Sequence, residues 1–182
     1  MTFMQTFSVV AGSCVLLVAM GLLLLQLRRQ RQRDWHILVA DLYKLNVVQL
    51  SAVATDYLTP RRNQIDMEPQ EIWDFLGGYQ GLRKMRENAD IMLELAAYAQ
   101  QWNFEEAVIV TERMRLDAIT LRRAIRRVEL GMVPSRLMLH YRLTLPLYAQ
   151  EASSAYYLMR QRLLALYESS HAGRYPMLAE VL

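Results

Sequence analysis

Glu168-Ser169-Ser170-His171 sets a carboxylate and an imidazole three residues apart, on one face of a helix. Di-iron bundles use two such pairs together with two further glutamates. No second pair stands around His36 or His140, the other two histidines, and the first sits where a helix ends. It therefore reads as a solvated helix terminus rather than a metal site. Gly77-Gly78-Tyr79-Gln80-Gly81 has the glycines of a phosphate loop but lacks the preceding strand and the Lys-Ser/Thr pair. It reads as a helix break or a close-packing site.

The single cysteine, Cys14, excludes an internal disulfide and a Cys-based zinc site. There is no G-x-S-x-G nucleophile elbow and no C-x-x-C-H haem attachment site. One His with a Met would be enough for a non-covalent haem between helices, but nothing singles out such a pair. The expectation is a chain with no catalytic residues, no metal and no cofactor, hence not an enzyme.

Two surface features carry a binding reading instead. Arg115, Arg122 and Arg126 fall within a narrow arc of one helix, at steps of 7 and 4. They suit an acidic partner or lipid headgroups, with Glu112 and Glu129 near enough to balance them. Tyr141, Tyr148, Tyr156 and Tyr157, with Tyr167 further on, exceed what a single stripe buries. Ordinary bundle packing is the first reading of such an excess, and a protein interface is the second. Tyr148 and Tyr156 join the three arginines as candidate partner-binding residues.

The chain also contains a candidate membrane anchor. No charged side chain precedes Arg28, and residues 7–25 read FSVVAGSCVLLVAMGLLLL. As a helix this run extends roughly 28 Å, close to the hydrocarbon thickness of a bilayer. A cleavable signal peptide needs a basic start and small residues after the apolar stretch. Residues 2–6 are TFMQT, and Leu24-Leu25-Gln26-Leu27 closes the run. Cys14 lies inside the run and follows Ala11-Gly12-Ser13, a poor lipobox. Ser8 and Gly12 form one small-x-x-x-small pair, too common a motif to establish self-association.

Arg28, Arg29, Arg31 and Arg33 follow directly, four basic residues on one side of the span and none on the other. By the positive-inside rule the N-terminus lies outside and everything after Arg28 is cytoplasmic. The cluster also suits anionic headgroups, at roughly 1 kcal/mol per basic residue. The whole chain has 21 Lys+Arg, 18 Asp+Glu and a formal net charge of +3. Removing the four juxtamembrane arginines leaves 17 basic residues against all 18 acids, a balance of −1 for residues 34–182. The soluble part is thus not a basic nucleic-acid binder. Arginine outnumbers lysine 19 to 2, which points to a GC-rich bacterial genome and so to the bacterial inner membrane.

Beyond the arginines the hydrophobic periodicity predicts four helices. Trp35, Val39, Leu42, Asn46, Val53 and Tyr57 mark the first, over 34–58, with Asn46 either inside the apolar face, where a polar residue fixes register or partner number, or at the edge of that stripe. No breaker separates it from the span, so continuity with the membrane helix is open. Pro60 ends it. The second starts near Pro69, bends at Gly77-Gly78, and runs its seam of Phe75, Leu82, Met85, Ala89, Met92, Ala96 and Ala99 to about Trp102. Asn103 caps the third, whose stripe is Ala107, Val110, Met114, Ala118, Leu121, Ile125 and Val128, with Gly131 as its stop. The fourth, from Pro134, carries Leu137, Tyr141, Tyr148, Ala152, Ala155, Met159, Leu163 and Leu166, with Pro146 as a kink point.

Short connections imply an antiparallel four-helix-bundle-like domain over 34–173, behind the anchor (1–27) and the basic cluster (28–33), with 174–182 as a tail. The fold class is all-α. The function expected is that of a non-enzymatic single-pass membrane protein. Its cytoplasmic domain docks a protein partner as accessory or assembly subunit of a membrane complex, and self-association stays open. A membrane-coupled signalling module ranks second, favoured by one continuous helix over 7–58. A cofactor- or metal-binding bundle ranks third.

Overall fold

The computed structural model describes residues 34–59, 67–132, 139–170 and 173–182. Those residues are helical, without strands, in seven elements. They are α1 (Trp35–Ala40), α2 (Val47–Leu58), α3 (Pro69–Leu76), α4 (Gly78–Ala99), α5 (Phe104–Met132), α6 (Leu139–Ser170) and α7 (Tyr175–Val181). Among the described residues no helix is long and apolar enough to cross a membrane. The anchor segment 7–25, Cys14 and the cluster Arg28, Arg29, Arg31 and Arg33 lie outside them.

The chain divides into two units, residues 1–37 and 38–182. In the first, Trp35 and His36 meet edge to face, with ring centroids 5.1 Å apart. The second unit is a helical bundle, and its side-chain bonds give the helix directions. Along α5 and α6, Arg127 pairs with Glu151, Asp117 with Arg162 and Glu106 with Ser169, so one number rises as the other falls. Asp90–Arg122 and Arg86–Glu129 give the same sense for α4 against α5. Leu50–Ser153 and Asp56–Gln150 give it for α2 against α6. Asn88–Tyr156 and Leu95–Tyr167 rise together, so α4 runs parallel to α6.

The predicted stripes form the core. On α5, Ala107, Met114, Ala118, Leu121, Ile125 and Val128 are buried, and Val110 is half-buried. On α4, Leu82, Met85, Ala89, Met92, Ala96 and Ala99 are buried, its alanines admitting neighbouring helices closely. On α6, Ala152, Ala155, Met159, Leu163 and Leu166 of the predicted stripe are buried and Tyr148 is half-buried. Leu137 and the Tyr141 side chain lie outside the described residues; Ala149, not in that stripe, is also buried. Burial of each large side chain contributes roughly 1.5–3 kcal/mol, the main favourable term in the fold.

Three local expectations change. The helix expected over 34–58 is two helices, because residues 41–46 leave helical geometry. Asn46 is not a register residue in an apolar face; it is the exposed N-cap of α2, accepting from Gln49 N–H at 3.2 Å. The break removes the uninterrupted helix that favoured a signalling module. Second, most of the tail 174–182 is helical, as α7. Pro176 sits in the first turn of α7, and Leu178 and Leu182, four residues apart, are both buried. Third, Gly131 does not stop α5: it is helical and buried, and the helix continues through it to Met132, the last described residue of that stretch.

The glycine run fulfils both parts of its reading. Gly77 ends α3 in the left-handed region at φ 69°, and Gly78 follows at φ 65°. Gly81 packs so tightly that a Cβ there would lie 1.6 Å from the Leu76 carbonyl oxygen.

Candidate interaction surface

α6 holds the bundle together through buried polar groups. Asn88 of α4 is fully buried. Its Oδ1 accepts the Tyr43 N–H at 2.8 Å, and its Nδ2 donates to the Tyr43 carbonyl at 2.8 Å and to Tyr156 Oη at 3.0 Å. One side chain thus satisfies both backbone groups of a residue in the non-helical 41–46 segment, which would otherwise cost a backbone bond on each side. Tyr167 donates from its hydroxyl to the Leu95 carbonyl at 2.9 Å. Gln150 donates to Asp56 at 2.8 Å.

For Tyr156 and Tyr167 these bonds favour the packing reading and overturn the partner-binding assignment of Tyr156. Tyr156 is 1% exposed, so it is a core residue and presents nothing to a partner. Burial pushes its hydroxyl up to about 12, with the Asn88 hydrogen bond and Arg160 pulling the other way. Tyr167 is likewise buried. Tyr148 is half-buried, with the Arg127 guanidinium 5.1 Å over its ring and Arg127 also paired with Glu151. Two of the α6 tyrosines, Tyr156 and Tyr167, are buried with hydroxyls that reach α4 from inside the bundle. Periodicity registers the apolar ring and not the partner its oxygen finds across the core. The side chain of Tyr141 lies outside the described residues, as does His171 of the Glu-x-x-His pair. Among the described residues no group of three or more His, Cys, Asp or Glu side chains is placed to hold a metal ion.

The arginines are where the spacing put them. Arg115, Arg122 and Arg126 are all exposed on the outer side of α5. Arg115 pairs with Glu112 one turn earlier, and Arg122 reaches across to Asp90 of α4. Both pairs are exposed, so each contributes little to stability, about 0–1 kcal/mol. Among the described residues neither Arg123 nor Arg126 makes an ion pair.

Beside this arc lies a feature that the core periodicity hides. Ile109, Leu116, Ile119 and Leu130 are 56, 66, 49 and 48% exposed. With Glu105, Glu112, Arg123 and Arg126 they form a second stripe on α5, stepping 4, 3, 4, 3, 4, 3, 4, and all eight residues are exposed. A helix normally carries one apolar stripe toward its core and polar residues opposite. α5 carries two. The signal is present in the sequence, but the stronger core stripe on the same helix leaves these apolar residues on the side expected to face solvent.

A smaller aromatic cluster closes one end of the bundle. Arg174 lies 4.7 Å over the Trp102 ring and 5.6 Å over Tyr98, and Trp102 meets Tyr98 edge to face at 5.3 Å. These contacts seat the start of α7 beside the α4–α5 turn. That turn is capped as expected: Asn103 Oδ1 accepts the Glu106 N–H at 3.3 Å. The Asn103 amide donates back to the Glu106 carboxylate at 2.6 Å.

No protein-family model matches this chain, and no curated protein and no solved structure is similar enough to count as a match.

Proposed function

We propose that this chain is a non-enzymatic, single-pass protein of the bacterial inner membrane whose cytoplasmic helical domain docks a protein as an accessory or assembly subunit. Residues 7–25 are the anchor, and Arg28, Arg29, Arg31 and Arg33 hold its inner end against anionic headgroups. The observation that carries the docking role is the outer face of α5, where four large apolar side chains stay exposed among arginines. Single exposed apolar residues are ordinary, but an aligned series on one helix is the pattern of a helix that packs against a partner. Arg115, Arg122 and Arg126 border that series and Tyr148 lies on the neighbouring helix; Tyr156 has no part in it.

The test is a gentle detergent extraction of native membranes followed by quantitative mass spectrometry. Retention of a stoichiometric protein by the wild type, and its loss from Leu116→Asp and from Arg122→Glu/Arg126→Glu at unchanged helicity, is the expected result. Full retention by those variants would remove this face from the docking surface. Release of the chain from membranes by alkaline carbonate would remove the anchor.

A further inference from the structure

The exposed stripe of α5 is complementary to itself when reversed, and we propose that it pairs with the same stripe of a second copy of this chain, antiparallel, about a two-fold axis between Leu116 and Ile119. The inference rests on reading this face as a docking surface and names the occupant. Read from its N-terminal end the stripe is Glu105, Ile109, Glu112, Leu116, Ile119, Arg123, Arg126, Leu130. Its steps alternate 4 and 3, the spacing by which two helices interdigitate side chains in layers.

Two-fold symmetry brings together residues equally far from the axis in opposite directions. Leu116 then packs on Ile119 of the other copy, and the symmetry repeats the contact. The next layer outward sets Glu112 against Arg123, again twice. The third sets Ile109 against Arg126, whose methylene stem covers the apolar side chain while its charge stays in water. An apolar centre is thus flanked by opposite charges on both sides. A parallel pairing would set Glu112 on Glu112 and Arg123 on Arg123, which like-charge repulsion disfavours.

The fold leaves these groups ready to pair. Arg123 and Arg126 make no ion pair among the described residues, and the Glu112 bond to Arg115 is an exposed contact within one helix. Arg122, held by Asp90, and Arg115 stand beside the stripe rather than in it. The stripe occupies the side of α5 turned away from its buried residues, so pairing requires no rearrangement of the core.

A charge exchange tests the geometry. Full-length protein in mild detergent is examined by analytical ultracentrifugation, with helicity checked by circular dichroism. The wild type is expected to dimerise. Glu112→Arg and Arg123→Glu are each expected to weaken the dimer by about tenfold or more, since each places two like-charged contacts in one interface. The double exchange, Glu112→Arg with Arg123→Glu, restores those contacts and is expected to return the affinity to near that of the wild type. A wild type that stays monomeric over the accessible concentration range overturns the pairing. A dimer insensitive to all three variants overturns it too, since association then lies elsewhere. If the protein is monomeric and Leu116→Asp nevertheless loses a different stoichiometric membrane protein, the docking reading survives and the self-pairing does not.

Discussion

The Asn88 amide and the Tyr43 peptide unit bond to each other twice, N–H to Oδ1 and Nδ2 to carbonyl, both at 2.8 Å. A residue of α4 thereby fixes the only non-helical turn of backbone between α1 and α2. Replacing Asn88 by Ala leaves a backbone donor and acceptor without these partners and opens a small void beside Tyr156. The expected cost is about 2–4 kcal/mol in denaturant unfolding of the full chain, followed by tryptophan fluorescence. Asn46→Ala, which removes an exposed cap, should cost only about 1 kcal/mol in the same assay.

The two kinds of glycine in the run from Gly77 to Gly81 fail differently. Gly77→Ala meets open space but must hold a positive φ, at a cost of about 1–2 kcal/mol. Gly81→Ala drives a Cβ into the Leu76 carbonyl and requires α3 and α4 to part, at about 3 kcal/mol. Thermal unfolding of the two variants should rank them in that order. Equal melting temperatures would show that the α3–α4 junction yields without cost.

Alkaline stability should depend on Tyr156. Its phenol titrates at about 12 in the folded protein against 10.0 for the free group. The unfolded chain releases this proton near pH 10 while the folded chain keeps it. The stabilisation is therefore complete below pH 10 and is lost as pH rises through 12, amounting to roughly 2–3 kcal/mol. Tyr156→Phe removes the titrating group, so its stability should fall less steeply between pH 10 and 12. Tyr57 and Tyr79 are also raised, by burial and by the Glu129 hydrogen bond respectively, so some slope remains. The readout is the denaturation midpoint measured at several pH values in that window.

Deletion of residues 175–182 should destabilise the bundle by about 3 kcal/mol or more, because it exposes the surfaces that Leu178 and Leu182 cover. Leu178→Ala alone should cost about 2–4 kcal/mol. An unchanged unfolding curve on deletion would make α7 a passenger. Deletion should also leave the α5 stripe and its pairing intact, since no residue of α7 belongs to that face.

Sequence alone determined the helical class, the core stripes of α4 and α5, the glycine break and the Asn103 cap. Each depends on local periodicity or on a residue acting on its own backbone, which a one-dimensional pattern encodes. It also placed Arg115, Arg122 and Arg126 outside, since 3.6-residue geometry fixes what lies opposite a buried stripe. Tertiary structure decided the rest. Whether Tyr156 faces a partner or the core depends on Asn88, 68 residues away. The break within 34–58 likewise involves that asparagine, whose side chain, from another helix, satisfies the Tyr43 backbone. Whether α5 has one apolar face or two became visible once the bundle had covered one and left the other, because burial is a property of what surrounds a helix and not of the helix itself.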